Sequence, residues 1–280
     1  MPQLLVAKKL NKRSRIPGSL PDAAGIVDVV QKGYVFYGTL AGGQTLPPAP
    51  LDKWYIDESG YYYWGGAIVE IQRNDNPVPV INPPGQLSLL QIKYATGATP
   101  KNAEKFMQHI IAACTRYSIN TPVRQLCFLA QVGHESMGLY YTEEIASGAA
   151  YENRADLGNI QPGDGVRFKG RGLIQITGRS NYKTLSAAFG QDFITDPSLL
   201  GAKNADKCSD QQLQYAALSA GWFWNSRSLN NLADQIDLNS SIDAAGNQDV
   251  FKKITKKING GLNGFSDRVT RYRGGVGFLK

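Results

Sequence analysis

The chain has 280 residues, room for about two domains, and its 42% apolar content supports a packed core and excludes a largely disordered protein. Its formal net charge of +7 and pI near 9.2 suit an anionic partner, whether nucleic acid, acidic lipid or a bacterial wall polymer, without choosing among them. No apolar run approaches the roughly 18 residues of a membrane-spanning helix, so no membrane insertion is expected.

Residues 1–20 carry Lys8, Lys9, Lys12, Arg13 and Arg15 with Pro17 and Gly18, the composition of a mobile basic arm. The apolar Leu4-Leu5-Val6-Ala7 ahead of Lys8-Lys9 is too short for the core of a signal peptide. Synthesis in the cytoplasm is therefore expected, and a target outside the cell would require delivery by another agent. From Gly25 to Gln72 the pattern changes to short β-like runs, among them Ile26–Val30, Tyr34–Tyr37, Trp54–Ile56, Tyr61–Trp64 and Ala67–Val69. Asp57-Glu58-Ser59-Gly60 between two aromatic runs predicts a hairpin. Trp54-Tyr55 together with Gly60-Tyr61-Tyr62-Tyr63-Trp64-Gly65-Gly66 resembles the small SH3-like β-barrels fused to bacterial wall-active enzymes. The resemblance implies that 1–73 is a basic arm plus an SH3-like wall-binding module, though any one of these rings can equally fill a small core. Asn74–Gly85 contains four prolines, which favour extended, semi-rigid backbone and set a linker over 74–87.

Beyond the linker the pattern is helical. Thr99-Pro100 opens a helix with Ala103, Phe106, Met107, Ile110, Ile111 and Cys114 on one face and His109 off the stripe, where exposure is expected. Thr121-Pro122 opens the next, with Val123, Leu126, Cys127, Ala130 and His134 at three- and four-residue steps, and Gly138 offers a left-handed stop. A glycine-rich segment from Ile145 to Lys169 shows little periodicity, and loops of that length in a compact domain are usually functional. Helices follow from Asp210 through Trp224 and across Val250–Ile258, the latter with Lys252, Lys253, Lys256 and Lys257 largely outward. The three cysteines, Cys114, Cys127 and Cys208, are odd in number and match no metal or redox spacing, so free thiols are expected, two of them buried. No cofactor or metal is expected.

Glu135 falls on the last helical turn before Gly138, where the helix dipole is negative and a carboxylate gains nothing. Glu144 follows nine residues later. A continuous helix would separate the two by roughly 13 Å; a stop at Gly138 lets the chain fold back. Two carboxylates across a cleft, one protonated and one ionised, are what glycoside hydrolysis requires. On spacing alone, a solvated surface glutamate is the commoner outcome.

His134-Glu135-Ser136-Met137-Gly138 with Glu144 resembles the His-Glu-[Ser/Thr]-x-Gly motif of family 19 glycoside hydrolases, which include chitinases and related endolysins. Plant members carry a second glycine where this chain has Leu139. Phe168–Tyr182 and Asn259-Gly260-Gly261 with the later Arg268 resemble two further motifs of the family, in the family's order, so that the likeness spans about residues 88–280. It implies a mainly helical, lysozyme-like catalytic domain after the small barrel, an α+β chain overall. It implies Glu135 as general acid, Glu144 as general base, Thr177 as the holder of the attacking water, and substrate binding by Gln175, Asn181, Tyr182, Asn259 and Arg268. Glu143 and Glu152 rival Glu144, and Arg171 either pairs with an active-site carboxylate or caps a loop.

The resulting expectation is an inverting enzyme cutting β-1,4 bonds of peptidoglycan, monomeric, without nucleic acid as partner and working on the cell wall. A chitinase with the same machinery is the nearest alternative, and a lytic transglycosylase, which has no need of Glu144, is a third. A zinc hydrolase is disfavoured because His134-Glu135 lacks a second histidine four residues on. A Cys/His amidase would need Cys127 exposed, and a non-catalytic sugar-binding protein would have little use for both acids.

Overall fold

The computed structural model describes residues 3–6, 10–13, 26–30, 35–41, 54–57, 61–64, 68–70 and 87–279. The chain divides into two compact units, Met1–Val80 and Ile81–Lys280. The division falls within 74–87, of which only Leu87 lies among the described residues; it is buried in the helical core.

Among the described residues the first unit has the strands β1 Gln3–Val6, β2 Leu10–Arg13, β3 Ile26–Val30, β4 Val35–Ala41, β5 Trp54–Asp57, β6 Tyr62–Trp64 and β7 Ile68–Glu70. They form one antiparallel sheet in the order β3-β2-β6-β5-β4-β1-β7. The predicted hairpin is present, with Trp54 opposite Trp64 and Tyr55 opposite Tyr63. Asp57 closes it: Oδ1 accepts from the Tyr61 N–H at 3.0 Å and Oδ2 from the Tyr63 hydroxyl at 2.7 Å. Trp54, Tyr55 and Tyr63 are buried.

The expected basic arm is corrected here. Its first half supplies β1 and β2, both internal to the sheet order; residues 14–20 lie outside the described set. Charge did not prevent pairing because long cationic side chains can lay their stems on apolar surface. Lys12 Nζ sits 4.2 Å from the centre of the Tyr61 ring, and Arg13 is buried.

The second unit is helical: α1 Leu89–Thr96, α2 Pro100–Arg116, α3 Pro122–Glu135, α4 Asp164–Arg167, α5 Arg179–Phe189, α6 Asp210–Ser226, α7 Leu229–Ala233, α8 Ala245–Asn259 and α9 Phe265–Leu279. Thr99 and Thr121 cap α2 and α3 as read from the sequence, each followed by proline at the first helical position. α3 is the central element: Leu126 through Val132 are all buried, and α1 and α9 pack against it. Gly133 permits the α1 contact, since a Cβ there would lie 2.4 Å from the Thr96 carbonyl oxygen. Gly275 does the same for α9, where a Cβ would meet Ala95 Cβ at 2.6 Å.

Cys114 and Cys127 are free and buried, and burial pushes both thiols well above their usual pKa. His109 departs from expectation. Its side chain is only 14% exposed, because the ring reaches across to Asp210 at the start of α6, 3.0 Å away.

Candidate active site

The end of α3 creates the first half of the site. After Glu135 the backbone passes through Met137 at φ 50°, Gly138 at φ 68° and Leu139 at φ 59°, three consecutive left-handed residues. A left-handed non-glycine residue costs energy and persists only when its surroundings enforce it. Ser136 does so: its hydroxyl donates to the Val132 carbonyl at 2.7 Å and accepts from the Leu139 N–H at 2.9 Å, while its carbonyl accepts from Tyr140 and Tyr141. Leu139 is fully buried, so packing holds in leucine a conformation that glycine would adopt freely. The chain thereby turns back on itself directly after Glu135.

Glu135 is clamped from behind. Arg268, 1% exposed on α9, donates to Glu135 Oε1 at 2.5 Å and to Gln131 Oε1 at 2.6 Å. Gln131 is itself fixed by donating to Thr255 Oγ1 on α8 at 3.1 Å. Three helices therefore converge on one carboxylate. Beside it, His134 Nδ1 lies 2.7 Å from Asp267, and the ring stacks so closely on Gly264 that a Cβ there would sit 2.1 Å from it. Only glycine, at φ 70°, fits.

The second half is a short antiparallel ribbon. Glu144 donates its N–H to the Gly170 carbonyl and Gly172 donates to Thr142, with Glu143 facing Arg171. Successive side chains of extended backbone point to opposite faces. On one face, Glu144 Oε1 accepts from the Tyr151 hydroxyl at 3.0 Å and Oε2 from the Gly170 N–H at 3.1 Å. Gly170 leaves the room: a Cβ there would lie 2.7 Å from Gln175 Oε1 and 3.4 Å from Glu144 Oε2. On the other face, Glu143 binds Lys169 at 2.7 Å and Arg171 at 3.0 Å.

This arrangement separates the three candidate bases. Glu143 is neutralised by two cations. Burial, the largest single influence, raises its pKa, but Lys169 and Arg171 together outweigh it and hold the carboxyl below its ordinary value. Glu152 accepts from the Gly163 and Gly165 N–H groups at 2.7 and 2.8 Å and so ties the 145–169 loop together. Glu144 and Glu152 both meet neutral donors, but those on Glu152 are the backbone N–H groups of the loop it ties together, whereas Glu144 sits on the ribbon and meets the Tyr151 hydroxyl and the Gly170 N–H. Arg171 pairs with Glu143 rather than with Glu135 or Glu144, and also donates to the Arg167 carbonyl and the Tyr182 hydroxyl.

Gln175 and Thr177 are half-buried between the buried Ile174 and Ile176, as the alternating pattern implied, although the backbone is a turn with Gln175 at φ 56°. The Thr177 hydroxyl donates to the Gln175 carbonyl at 2.9 Å, and Asn181 donates to the Thr177 carbonyl at 2.7 Å. Tyr182 requires correction as a substrate contact. It is fully buried, donates to the Lys169 carbonyl at 2.7 Å and supports the ribbon from beneath. Arg268 likewise contacts Glu135 rather than a substrate. Asn259 is exposed, but its amide shapes its own loop, donating to the Asn263 carbonyl at 2.9 Å and accepting from the Gly261 N–H at 2.8 Å. Gln131, Thr255 and Tyr151 were not legible as site residues, because nothing local marks a buried glutamine or a loop tyrosine. Among the described residues no cluster of three or more His, Cys, Asp or Glu could hold a metal ion.

Residues 94–280 match the family model for glycoside hydrolase 19, described as chitinase class I. A glycosyl hydrolase family 19 domain-containing protein from Haemophilus influenzae is 28% identical over 62% of this chain and 89% of its own length. The acidic 27 kDa endochitinase of tomato, Solanum lycopersicum, is 31% identical over 55% of this chain, and the match spans only 59% of that enzyme. Among solved structures, a mutant of chitinase C superposes with a TM-score of 0.50 at 21% identity, covering 71% of this chain and 94% of that one. The match shows a shared fold. With the family model covering well over half of its length, the chain belongs to glycoside hydrolase family 19 and is an enzyme of that family.

Proposed function

We propose that this enzyme hydrolyses the β-1,4 glycosidic bonds of peptidoglycan with inversion, as an endolysin or lysozyme-like glycosidase. Glu135 protonates the leaving oxygen and Glu144 deprotonates a water on the opposite face of the sugar. The acceptor lone pairs of Thr177 hold that water, and Gln175, Asn181 and the 259–263 loop line the saccharide path. The observation that supports the reading is the difference in setting among the candidate carboxylates: Glu143 is held between two cations and Glu152 has both oxygens taken by loop backbone N–H groups, whereas Glu144 stands on the ribbon and accepts from the Tyr151 hydroxyl and the Gly170 N–H. Lysine and arginine exceed aspartate and glutamate by seven, which favours an anionic polymer over neutral chitin. The aromatic-rich N-terminal sheet fits an SH3-like wall-binding module, which would place the work of a monomeric enzyme at the cell wall after delivery.

The alternative is a chitinase with the same acid and base, favoured by the plant relatives whose names are endochitinases. Digestion of purified peptidoglycan and of chitin oligomers, with mass spectrometry of the new reducing ends, decides between them. Muropeptide products that vanish in Glu135→Gln, with wall binding retained, support the proposal. Cleavage of chitin oligomers alone would reject it in favour of the alternative.

A further inference from the structure

From the second face of the ribbon carrying Glu144, Arg171 reaches the wall of a cavity of about 820 Å³ formed mainly by residues 161–167 and 194–198. Arg167, Arg171, Arg179, Val166, Ile194 and Asp196 are among its walls. Because residues alternate along the ribbon, Arg171 enters this cavity while its neighbour Gly170 donates to Glu144 on the opposite side. The cavity therefore borders the ribbon through Arg171, on the side away from Glu144. Its volume lies within the roughly 300–1,000 Å³ range of ligand pockets.

Of the three guanidinium groups on its walls, Arg179 is paired with Asp164 and Arg171 with Glu143. Asp164 is fully engaged, receiving Arg179 on both oxygens and the Ile160 and Gln161 N–H groups on one. Arg167 donates to the carbonyl oxygens of Ile194 and Thr195, not to a carboxylate, so its hydrogen bonds leave its charge in place. Val166 adds an exposed apolar patch, 52% accessible. The Arg167 guanidinium, the apolar Val166 and Ile194, and the Asp196 carboxylate, whose Oδ1 accepts from the Ser198 N–H and hydroxyl, describe a receptor for a short acidic peptide that also carries an amine.

We propose that this cavity binds the stem peptide that branches from the glycan strand in peptidoglycan, so that the enzyme reads the peptide on one side of the ribbon while it cuts the sugar on the other. The proposal rests on the peptidoglycan reading above. Chitin carries no such branch, and the cavity would be the element that distinguishes the two polymers.

The test uses the full chain and two variants, Arg167→Glu and Val166→Glu; the second touches no hydrogen bond and keeps the experiment informative if the first folds poorly. The probe is the free tripeptide L-Ala-γ-D-Glu-meso-diaminopimelate, titrated by calorimetry, alongside kcat/KM on glycan strands with stems and on strands stripped by an amidase. Saturable tripeptide binding that weakens at least tenfold in both variants is expected. A similar loss of kcat/KM should appear on stem-bearing strands only, with stripped strands within twofold of wild type. Absence of tripeptide binding, or equal loss on both kinds of strand, overturns the proposal. Failure of the peptidoglycan reading shows itself separately, as both kinds of strand left intact while chitin oligomers are cut; the tripeptide titration still decides the cavity.

Discussion

Replacing the adjacent glutamates one at a time separates catalysis from structure. In Glu144→Gln the amide oxygen can accept from the Gly170 N–H while the amide nitrogen donates to the Tyr151 oxygen, whose hydroxyl rotates away. The fold therefore loses at most about 1 kcal/mol. Loss of a general base costs about 10²–10⁴ in rate, or ~2.7–5.5 kcal/mol of barrier. Glu143→Gln is the converse. It removes the anion between Lys169 and Arg171, whose side chains are only 15% and 10% exposed, and leaves two cations close together. Breaking these charge-assisted bonds costs roughly 2–3 kcal/mol of stability, which in a unit of this size lowers Tm by about 5–10 °C. The assay pairs kcat on a soluble glycan oligomer with a thermal melt of each variant. Glu144→Gln should be folded and inactive, and Glu143→Gln less stable but active to within about tenfold. An active Glu144→Gln beside an inactive, equally stable Glu143→Gln would refute the assignment.

Arg268→Met leaves Glu135 and Gln131 without their shared buried donor, and about 3–5 kcal/mol of stability should be lost; urea denaturation measures it, and Arg268→Lys should recover only part, because lysine lacks the planar fork. The depressed pKa of Glu143 means that its stabilising contribution is complete above the ordinary carboxylate value of about 4.3 and is lost as pH falls through the lower folded value. Stability of wild type should thus fall more steeply below about pH 4.5 than that of Glu143→Gln, and parallel curves from denaturant titrations would contradict this. Gly133→Ala drives a methyl group into the Thr96 carbonyl and should destabilise the helical unit by at least about 1–3 kcal/mol, read as a lower Tm.

Much of this was legible in the sequence where the signal is local. The Thr-Pro starts of α2 and α3, the stop at Gly138 and the 54–64 hairpin all follow from cap and turn chemistry acting within a few residues. α9 is not legible in the sequence for a physical reason. The glycines at 274, 275 and 277 look like a loop, yet Gly275 is what lets α9 approach α1 and α3, a requirement that exists only in three dimensions. The same holds at the site. Glu135 and Glu144 stand in recognisable motifs, whereas the Gln131–Arg268 clamp joins positions 137 residues apart. Tyr182 is not legible as a buried support because its motif neighbours Gln175, Thr177 and Asn181 are half-buried and its own burial depends on how the ribbon folds over it. Strand β2 is not legible because its cationic side chains mask the apolar alternation that marks a strand.

The central claim is that water attacks from the face opposite the proton donor, with Glu144 as its base, and the stereochemistry of the product tests this most directly. Proton NMR of the first-formed reducing end, recorded before mutarotation, should show the α-anomer from a β-1,4 bond. A β-anomer as the initial product would show retention, and with it a mechanism in which Glu135 and Glu144 do not act as described.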